Sequence, residues 1–367
     1  MAALSTIWSQ IQRVLLPVVG EEIAPPTPKQ RELTVLLDVI RIEKFVAAPP
    51  RGWRGRPDED RRPLARAFVA KAVLNLPTTH ALLDQLRSAA TLRRICGWER
   101  RGDVPSEATF SRAFAAFAAG QLPQRVHAAL IAQHLRSRLV GHISRDATAI
   151  KAREKRARRP RPAPAASPKK SRRGRRKNGE TPPPKEPTRL QRQAAGMKLA
   201  EMVAELPVLC DAGCKRDSKG HTNYWIGYKL HVDWADGEIP VSRLLTSASL
   251  HDKRAALPLM RMTEERVFSL HQLMDAAYDA HEIWESCRKL GHVPIIDRQK
   301  RRGEMLPMDP AIARRFAERT TAARGNSGLQ DNFGRRHVRV RGAVKVMAHL
   351  MFGILALCAD RLLRLIT

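Results

Sequence analysis

Apolar side chains recur with a helical period from about residue 34 to residue 135, and strand-like alternation is scarce there. In the segment SEATFSRAFAAFAA, Phe110, Phe114 and Phe117 are spaced i, i+4 and i+7, which places them on one face of a helix. Ser106 is a favourable N-cap for that helix. The preceding segment HALLDQLRSAATLRRICG is also helical in pattern, and WERRGDVP connects the two. The order predicts a helix, a turn and a second helix.

A helix-turn-helix of this kind has two interpretations. If it reads DNA, Arg112 and its neighbours on the outer face of the second helix would make the contacts. If it is part of a plain helical bundle, the same basic side is simply solvated. The pattern alone is compatible with both.

After about residue 197 the pattern changes to alternating strands and helices. Ile226, Tyr228, Leu230 and Val232 alternate with polar residues or glycine, as in a half-buried strand, and IPVSRLLTSAS returns after the turn signal Asp-Gly. Helices beginning near Asp252 and in HEIWESCRKLG separate the further strands LMDAAYD and VPIID. With HISRDATAI earlier in the chain, five strands are predicted, with a hairpin first and β/α alternation later. The pattern is typical of a mixed α/β fold whose sheet is flanked by helices.

Near the C-terminus, the apolar run 346–359 is interrupted by His349 and Gly353 and is shorter than the roughly 20 residues of a membrane span. We therefore expect a buried core helix there.

Charge points to a polyanionic partner. The 66 Lys and Arg residues against 36 Asp and Glu leave a net charge of +30, which favours binding to nucleic acid. Residues 151–193 are rich in Lys, Arg and Pro and nearly free of large apolar side chains, so they are predicted to be a disordered insertion that makes loose contacts with DNA; a merely solvated insertion is the alternative. Five scattered cysteines are typical of a reducing, cytoplasmic compartment.

Two carboxylates are candidates for metal-dependent phosphodiester chemistry. Such chemistry uses two divalent cations with hard oxygen ligands, for which Mg²⁺ or Mn²⁺ is suited. Asp146 lies within HISRDATAI, and Asp275 closes the strand in LMDAAYDA. Taken singly, each is more often a turn or cap residue than a ligand.

Several long stretches resemble the insertion-sequence DDE transposases. They are VPSEATFSRAFAAFA, SRDATAI, WIGYKLH, LLTSASLHD, LMDAAYDA and VRGAVKVMAHLMFGILALCADRLLRL. The resemblance implies an RNase H-like five-stranded mixed sheet flanked by helices and preceded by an all-helical N-terminal domain. It makes Asp146 and Asp275 the first two metal-binding carboxylates, on neighbouring strands. The implied division is an N-terminal arm at 1–30, a helical DNA-binding domain at 31–136, the first core strand at 137–150, the basic insertion at 151–193 and the rest of the core at 194–367.

The third motif of the family departs from its pattern. The family has Tyr, Arg, Glu and Lys at relative positions −7, −4, 0 and +7, which at about 100° per residue fall within roughly 40° on one helix face. At those positions this chain has Phe316, Arg319, Ala323 and Gln330. The third carboxylate is therefore absent. Glu318 and Asp331 are about 140° and 80° away around the helix, so neither is expected to replace it.

The resemblance implies function as follows. The chain is expected to be a DNA transposase that hydrolyses DNA and transfers the cut end with Mg²⁺ or Mn²⁺, impaired at Ala323; the alternative is a decayed, inactive transposase that only binds DNA. Arg112, Lys229 and Arg319 are the candidate DNA-binding residues, although Lys229 fits a solvated strand face equally well. Expected partners are double-stranded DNA at the element ends and target, and a second copy in a homodimer. A bacterial, cytoplasmic and nucleoid-associated location follows. A general DNA-packaging protein is disfavoured by the β/α core.

Overall fold

The computed structural model describes residues 25–48, 59–158, 186–216, 220–298 and 307–366. Its N-terminal part is helical, as the periodicity predicts. The helices are α1 (Pro28–Ile40), α2 (Arg61–Val73), α3 (Thr79–Ser88), α4 (Ala90–Cys96), α5 (Glu107–Ala119) and α6 (Leu122–His134). The Ser106 hydroxyl accepts from the Thr109 amide and caps α5, and Phe110, Phe114 and Phe117 are buried on its inner face. Between α3 and α4 the extended backbone of Ala89 divides the segment that the sequence pattern presents as one helix.

The sheet confirms the RNase H-like mixed α/β prediction and has one strand more than the five expected. Its strands are β1 (Leu139–Lys151), β2 (Asp211–Arg216), β3 (Thr222–Ala235), β4 (Ile239–Ser247), β5 (Phe268–Met274) and β6 (Val293–Ile296). The path is β2-β3-β1-β5-β6, with β4 also on β3; β1 is antiparallel to β3 and parallel to β5. The unexpected strand is β2, which pairs with the first half of β3 while β4 pairs with the second half. Its sequence, DAGCKR, lacks the apolar alternation that indicates a strand.

Further helices cover the sheet. They are α7 (Arg189–Ala194), α8 (Leu199–Ala204), α9 (Ala256–Glu264), α10 (His281–Lys289), α11 (Pro310–Ala317), α12 (Thr320–Asn332) and α13 (Ala343–Ile366). Helix α12 packs on β1 and β3, and α9 packs on the opposite face of β3 and on β4. At the closest approach of α12, Gly325 lies against the ring of Trp234, where a Cβ atom would come within 2.5 Å of the indole carbons.

Helix α13 joins the helical part of the chain to the sheet. It contacts α1, α2, α5, α6 and β4, and the side chains of these elements form one continuous hydrophobic core. By length and composition, Ala343–Leu365 is the one stretch among the described residues that could span a membrane, but most of it is buried inside the protein. This agrees with the prediction of a core helix.

Both ends of the predicted insertion 151–193 are ordered. Lys151 is the last residue of β1, the Glu154 carboxylate accepts from the Tyr228 hydroxyl at 2.5 Å, and Arg189 begins α7. On the second flank Leu190 and Gln193 are buried, and Leu190 packs in a hydrophobic cluster with residues of α9, α10 and β5, which the composition of the whole stretch did not reveal. The central residues 159–185, like most of the arm 1–30, lie outside the described residues.

Candidate active site

Asp146 and Asp275 come together at one end of the sheet. In the parallel pairing of β1 with β5, Ser144 is opposite Leu273, so Asp146 and Asp275 each follow this pair by two residues along their strands. Asp275 directly follows β5 and caps a 3₁₀ turn, since its Oδ1 accepts from the Ala277 amide at 3.0 Å. Each strand thus contributes one carboxylate to a site, called the cleft here, in which the two are close enough to interact electrostatically.

Burial dominates the electrostatics of the two carboxylates. It raises the pKa of Asp146 and of Asp275 above the usual range, and for Asp146 the neighbouring negative charge of Asp275 adds to the rise. The cations of Lys215 and Arg319 act against the rise in pKa of both groups. A cleft that disfavours two adjacent negative charges is one in which a bound cation would be stabilising.

Helix α12 covers the face of β1 that carries Asp146. The Asn326 amide Nδ2 donates to Asp146 Oδ2 at 2.9 Å, and the Ser144 hydroxyl donates to the Glu318 carbonyl at 3.3 Å. Two residues beyond Asp146, the Thr148 hydroxyl is bonded by the Arg335 guanidinium, which also bonds Gln330 Oε1. Ser144, Asp146 and Thr148 alternate onto one face of the strand, so these contacts fix the helix over the cleft.

The third-motif positions do not lie on one uninterrupted helix. Helix α11 ends at Ala317, and Glu318 and Arg319 form a turn before α12, so Phe316 belongs to a separate helix. The guanidinium of Arg319 lies 5.5 Å from the centre of the Phe316 ring. Within the motif, Ala323 follows Arg319 by one turn and precedes Asn326 by one turn. Its methyl group is exposed and offers no oxygen.

Neither candidate acid replaces the missing carboxylate in this arrangement. Glu318 has an exposed side chain and enters the site only through its backbone carbonyl. Asp331 is exposed and pairs with Arg336 at 2.6 Å on the outer side of α12. That neither residue replaces a third acid stays a prediction.

The donor atoms around Asp146 fit a divalent cation with hard oxygen ligands. They are the carboxylates of Asp146 and Asp275. The Asn326 amide turns its Nδ2 atom towards Asp146, and its buried Oδ1 atom accepts no hydrogen bond from the described residues. Within the described ranges, no group of three or more His, Cys, Asp and Glu side chains is placed to hold a metal. The site therefore brings together two carboxylates and one neutral amide, and their role as metal ligands stays a prediction.

Sequence reasoning missed Asn326 and Lys215. Asn326 is three residues after Ala323 and therefore lies on nearly the same helix face. Examining the residues one helical turn beyond Ala323 would have identified it. Lys215 lies on β2, the strand that the sequence pattern did not indicate, so no signal placed it beside the two aspartates.

The remaining DNA-binding candidates lie elsewhere. Arg112 is exposed on α5 and lines a separate cavity with Arg61, Glu59 and Asp103. Lys229 is on the face of β3 opposite Asp146, where its ammonium donates to Asp252 Oδ1 at 2.8 Å and to the Leu250 carbonyl at 2.9 Å. A role of either residue in DNA binding stays a prediction.

A buried ion pair supports the strand beneath Asp146. Arg145 points to the opposite face, where its Nε and Nη2 atoms donate to Asp233 on β3 at 2.7 and 2.6 Å, and both side chains are fully buried. The Thr263 hydroxyl on α9 donates to the same carboxylate at 2.7 Å. The pair thus joins β1, β3 and α9 directly behind the site.

Comparison with known families agrees with this geometry. Residues 141–359 match the family described as Transposase DDE domain, and residues 20–116 match the one described as Transposase domain (DUF772). No curated protein and no solved structure matches the chain. The first match covers more than half of the chain and includes every residue of the cleft described above, and the family acts on DNA with divalent metal ions. The chain therefore belongs to the DDE transposase family.

Proposed function

We propose that this chain is the DNA transposase of an insertion sequence, with Asp146 and Asp275 as metal ligands, and that its phosphodiester hydrolysis and strand transfer are impaired. One observation carries the proposal. The two aspartates meet beneath α12, yet the helix face above them offers the Asn326 amide and the Ala323 methyl group in place of a carboxylate.

The physical basis is the charge of the ligand set. Mg²⁺ or Mn²⁺ held by Asp146, Asp275 and Asn326 would activate the attacking hydroxyl and stabilise the leaving oxygen. Two carboxylates neutralise one divalent charge, whereas a pair of cations at close separation needs more anionic ligands. Arg319 and Lys215 place positive charge beside the cleft, where a DNA phosphate would lie.

The alternative is a decayed transposase that binds DNA without cutting it. The intact core and the cations around the cleft support DNA binding. Ala323 lacks the carboxylate that the family has at this position, and that carboxylate is needed for cleavage and not for binding. Under both proposals the partner is double-stranded DNA at element ends and target, a homodimer holds paired ends, and the protein acts in the bacterial cytoplasm at the nucleoid.

The test is a Mg²⁺-dependent nicking assay on DNA that carries the ends of the encoding element. Because Ala323 is exposed, Ala323→Glu fits without a clash and restores a carboxylate one turn from Asn326. We expect nicking to rise about 100-fold, equivalent to about 3 kcal/mol of transition-state stabilisation. The matched neutral variant Ala323→Gln should give no such rise, and Asp146→Ala should abolish the gain of Ala323→Glu.

Each result has a defined meaning. Wild-type nicking as fast as that of Ala323→Glu, and lost in Asp146→Ala, would show that the site is not impaired. Normal DNA binding without nicking by either protein would favour the alternative.

A further inference from the structure

A second cationic site lies away from the two aspartates. A cavity of about 380 Å³ is enclosed by α2, α5, the segment 333–341 and the first turns of α13. Its charged lining consists of Lys71, Arg153, Arg339, Arg341 and Lys345, and no Asp or Glu of the described residues lines it. Such a lining is complementary to an anion.

Lys71 is the buried cation of this cavity. The residue is only 9% exposed, and no hydrogen bond or ion pair holds its ammonium among the described residues. Burial alone lowers its pKa to about 8. An ammonium that is largely buried and has no partner is poorly solvated, and an anionic ligand in the cavity would stabilise it.

His349 also lines this cavity but carries no charge that could neutralise Lys71. Its Nε2 atom is bonded to the Gly334 carbonyl at 3.1 Å, and burial lowers its pKa to about 3, so the ring is neutral at physiological pH. The hydroxyls of Thr79 and Ser111 add neutral hydrogen-bonding groups to the wall.

The other four cations form an exposed rim. Arg341 is positioned by donation from its Nε to the Arg153 carbonyl at 3.1 Å. The carboxylate of Glu154, next to Arg153 in sequence, is already engaged by the Tyr228 hydroxyl and by the Gly342 amide at 3.2 Å. A single small anion would not use all four rim charges, whereas successive phosphates of one strand would.

The cavity is close to the cleft along the chain. Segment 333–341 directly follows α12, and β1 runs from Asp146 towards Arg153. Asp146 and Arg153 are seven residues apart and thus at most on the order of 20 Å, which corresponds to about six base pairs of B-DNA. A duplex bound at the two aspartates is therefore long enough to place backbone phosphates at the cavity as well.

We propose that this cavity is a phosphate subsite for a DNA strand, with Lys71 at its base and Arg153, Arg339, Arg341 and Lys345 around its rim. The inference rests on the DNA binding in the proposed function and adds a place where the backbone is held. It requires no cleavage, so it applies equally to an active and an inactive transposase.

The experiment compares three Lys→Met variants of the full chain. Lys71→Met removes the buried charge and Lys345→Met a rim charge; Lys29→Met removes an exposed charge on α1 outside the cavity. Binding to a fluorescent duplex is measured by anisotropy over a range of salt concentrations. Loss of one phosphate contact should weaken binding about fivefold at 0.15 M salt and reduce the salt slope by about 1. We expect this for the two cavity variants and no change for Lys29→Met.

Thermal stability separates lost binding from lost folding. Because Lys71→Met removes an unpaired buried charge, its melting temperature should rise while its DNA affinity falls. Inorganic phosphate should raise the melting temperature of the wild type more than that of Lys71→Met, at ionic strength matched with chloride.

The outcomes distinguish this inference from the proposed function. If the wild type binds duplex DNA and both cavity variants bind like Lys29→Met with unchanged slopes, the subsite is overturned and the proposed function stands. If phosphate stabilises the wild type but DNA binding is unaffected in the variants, the cavity holds an anion only, and the inference is again overturned. A wild type that does not bind DNA overturns both.

Discussion

Replacing Asp233 by Asn would remove the charge of a fully buried carboxylate that receives three short hydrogen bonds from Arg145 and Thr263. The amide oxygen of the new side chain could still accept one hydrogen bond from Arg145, but the guanidinium would have no negative charge beside it, and its other contacts, to Gln272 and to the sulfur of Met274, are longer at 3.4 Å. Leaving one member of such a pair uncompensated costs about 3–5 kcal/mol, because a buried charge loses its partner without regaining water. We expect Asp233→Asn to lower the free energy of unfolding by that amount.

The measurement is urea unfolding at neutral pH, followed by the fluorescence of tryptophans such as the fully buried Trp234. Glu32→Gln is the matched control, since Glu32 pairs with Lys29 at 2.7 Å on the surface and its loss should cost less than about 1 kcal/mol. The double variant Arg145→Met with Asp233→Leu should recover most of the loss, because neither charge remains. A loss in Asp233→Asn no larger than that in Glu32→Gln would refute the reasoning.

Two further predictions concern α12 and a buried histidine. Gly325→Ala should destabilise the protein by about 1–3 kcal/mol because its Cβ would meet the Trp234 ring at 2.5 Å. Gly328→Ala is the control: it has no contact closer than 3.5 Å and should stabilise the protein by about 0.5–1 kcal/mol through helix propensity. Equal effects of the two variants in thermal unfolding would contradict this packing. Burial lowers the pKa of His231 from 6.5 to about 4, so the folded state disfavours protonation of this ring. The free energy of unfolding should therefore fall by about 3 kcal/mol as the pH falls from about 6.5 to about 4. In His231→Gln that share of the pH dependence, measured by denaturant unfolding at each pH, should disappear; an unchanged slope would show that His231 does not titrate in this way.

The sequence pattern predicted the parts of the fold that depend on local preference. Helical periodicity with the Ser106 cap placed α5, and strand alternation placed β3, because burial of one face dictates the spacing of apolar residues. The Asp-Gly turn signal placed β4 as its partner strand. The sequence pattern did not reveal β2, whose residues are held by pairing with β3 and carry no apolar alternation of their own. It also presented α3 and α4 as one helix, since the bend at Ala89 has no sequence signal.

For the site, the sequence determined which groups are available. The carboxylates of Asp146 and Asp275, the loss of a third acid at Ala323 and the surplus of positive charge are all read from the residues and from their resemblance to a family. Only the tertiary structure decided which of these groups meet. The parallel pairing of β1 with β5 brings the two aspartates together, and the packing of Gly325 on Trp234 brings Asn326 to Asp146. The physical reason is that contacts between residues distant in sequence depend on register and close packing, which local patterns do not encode.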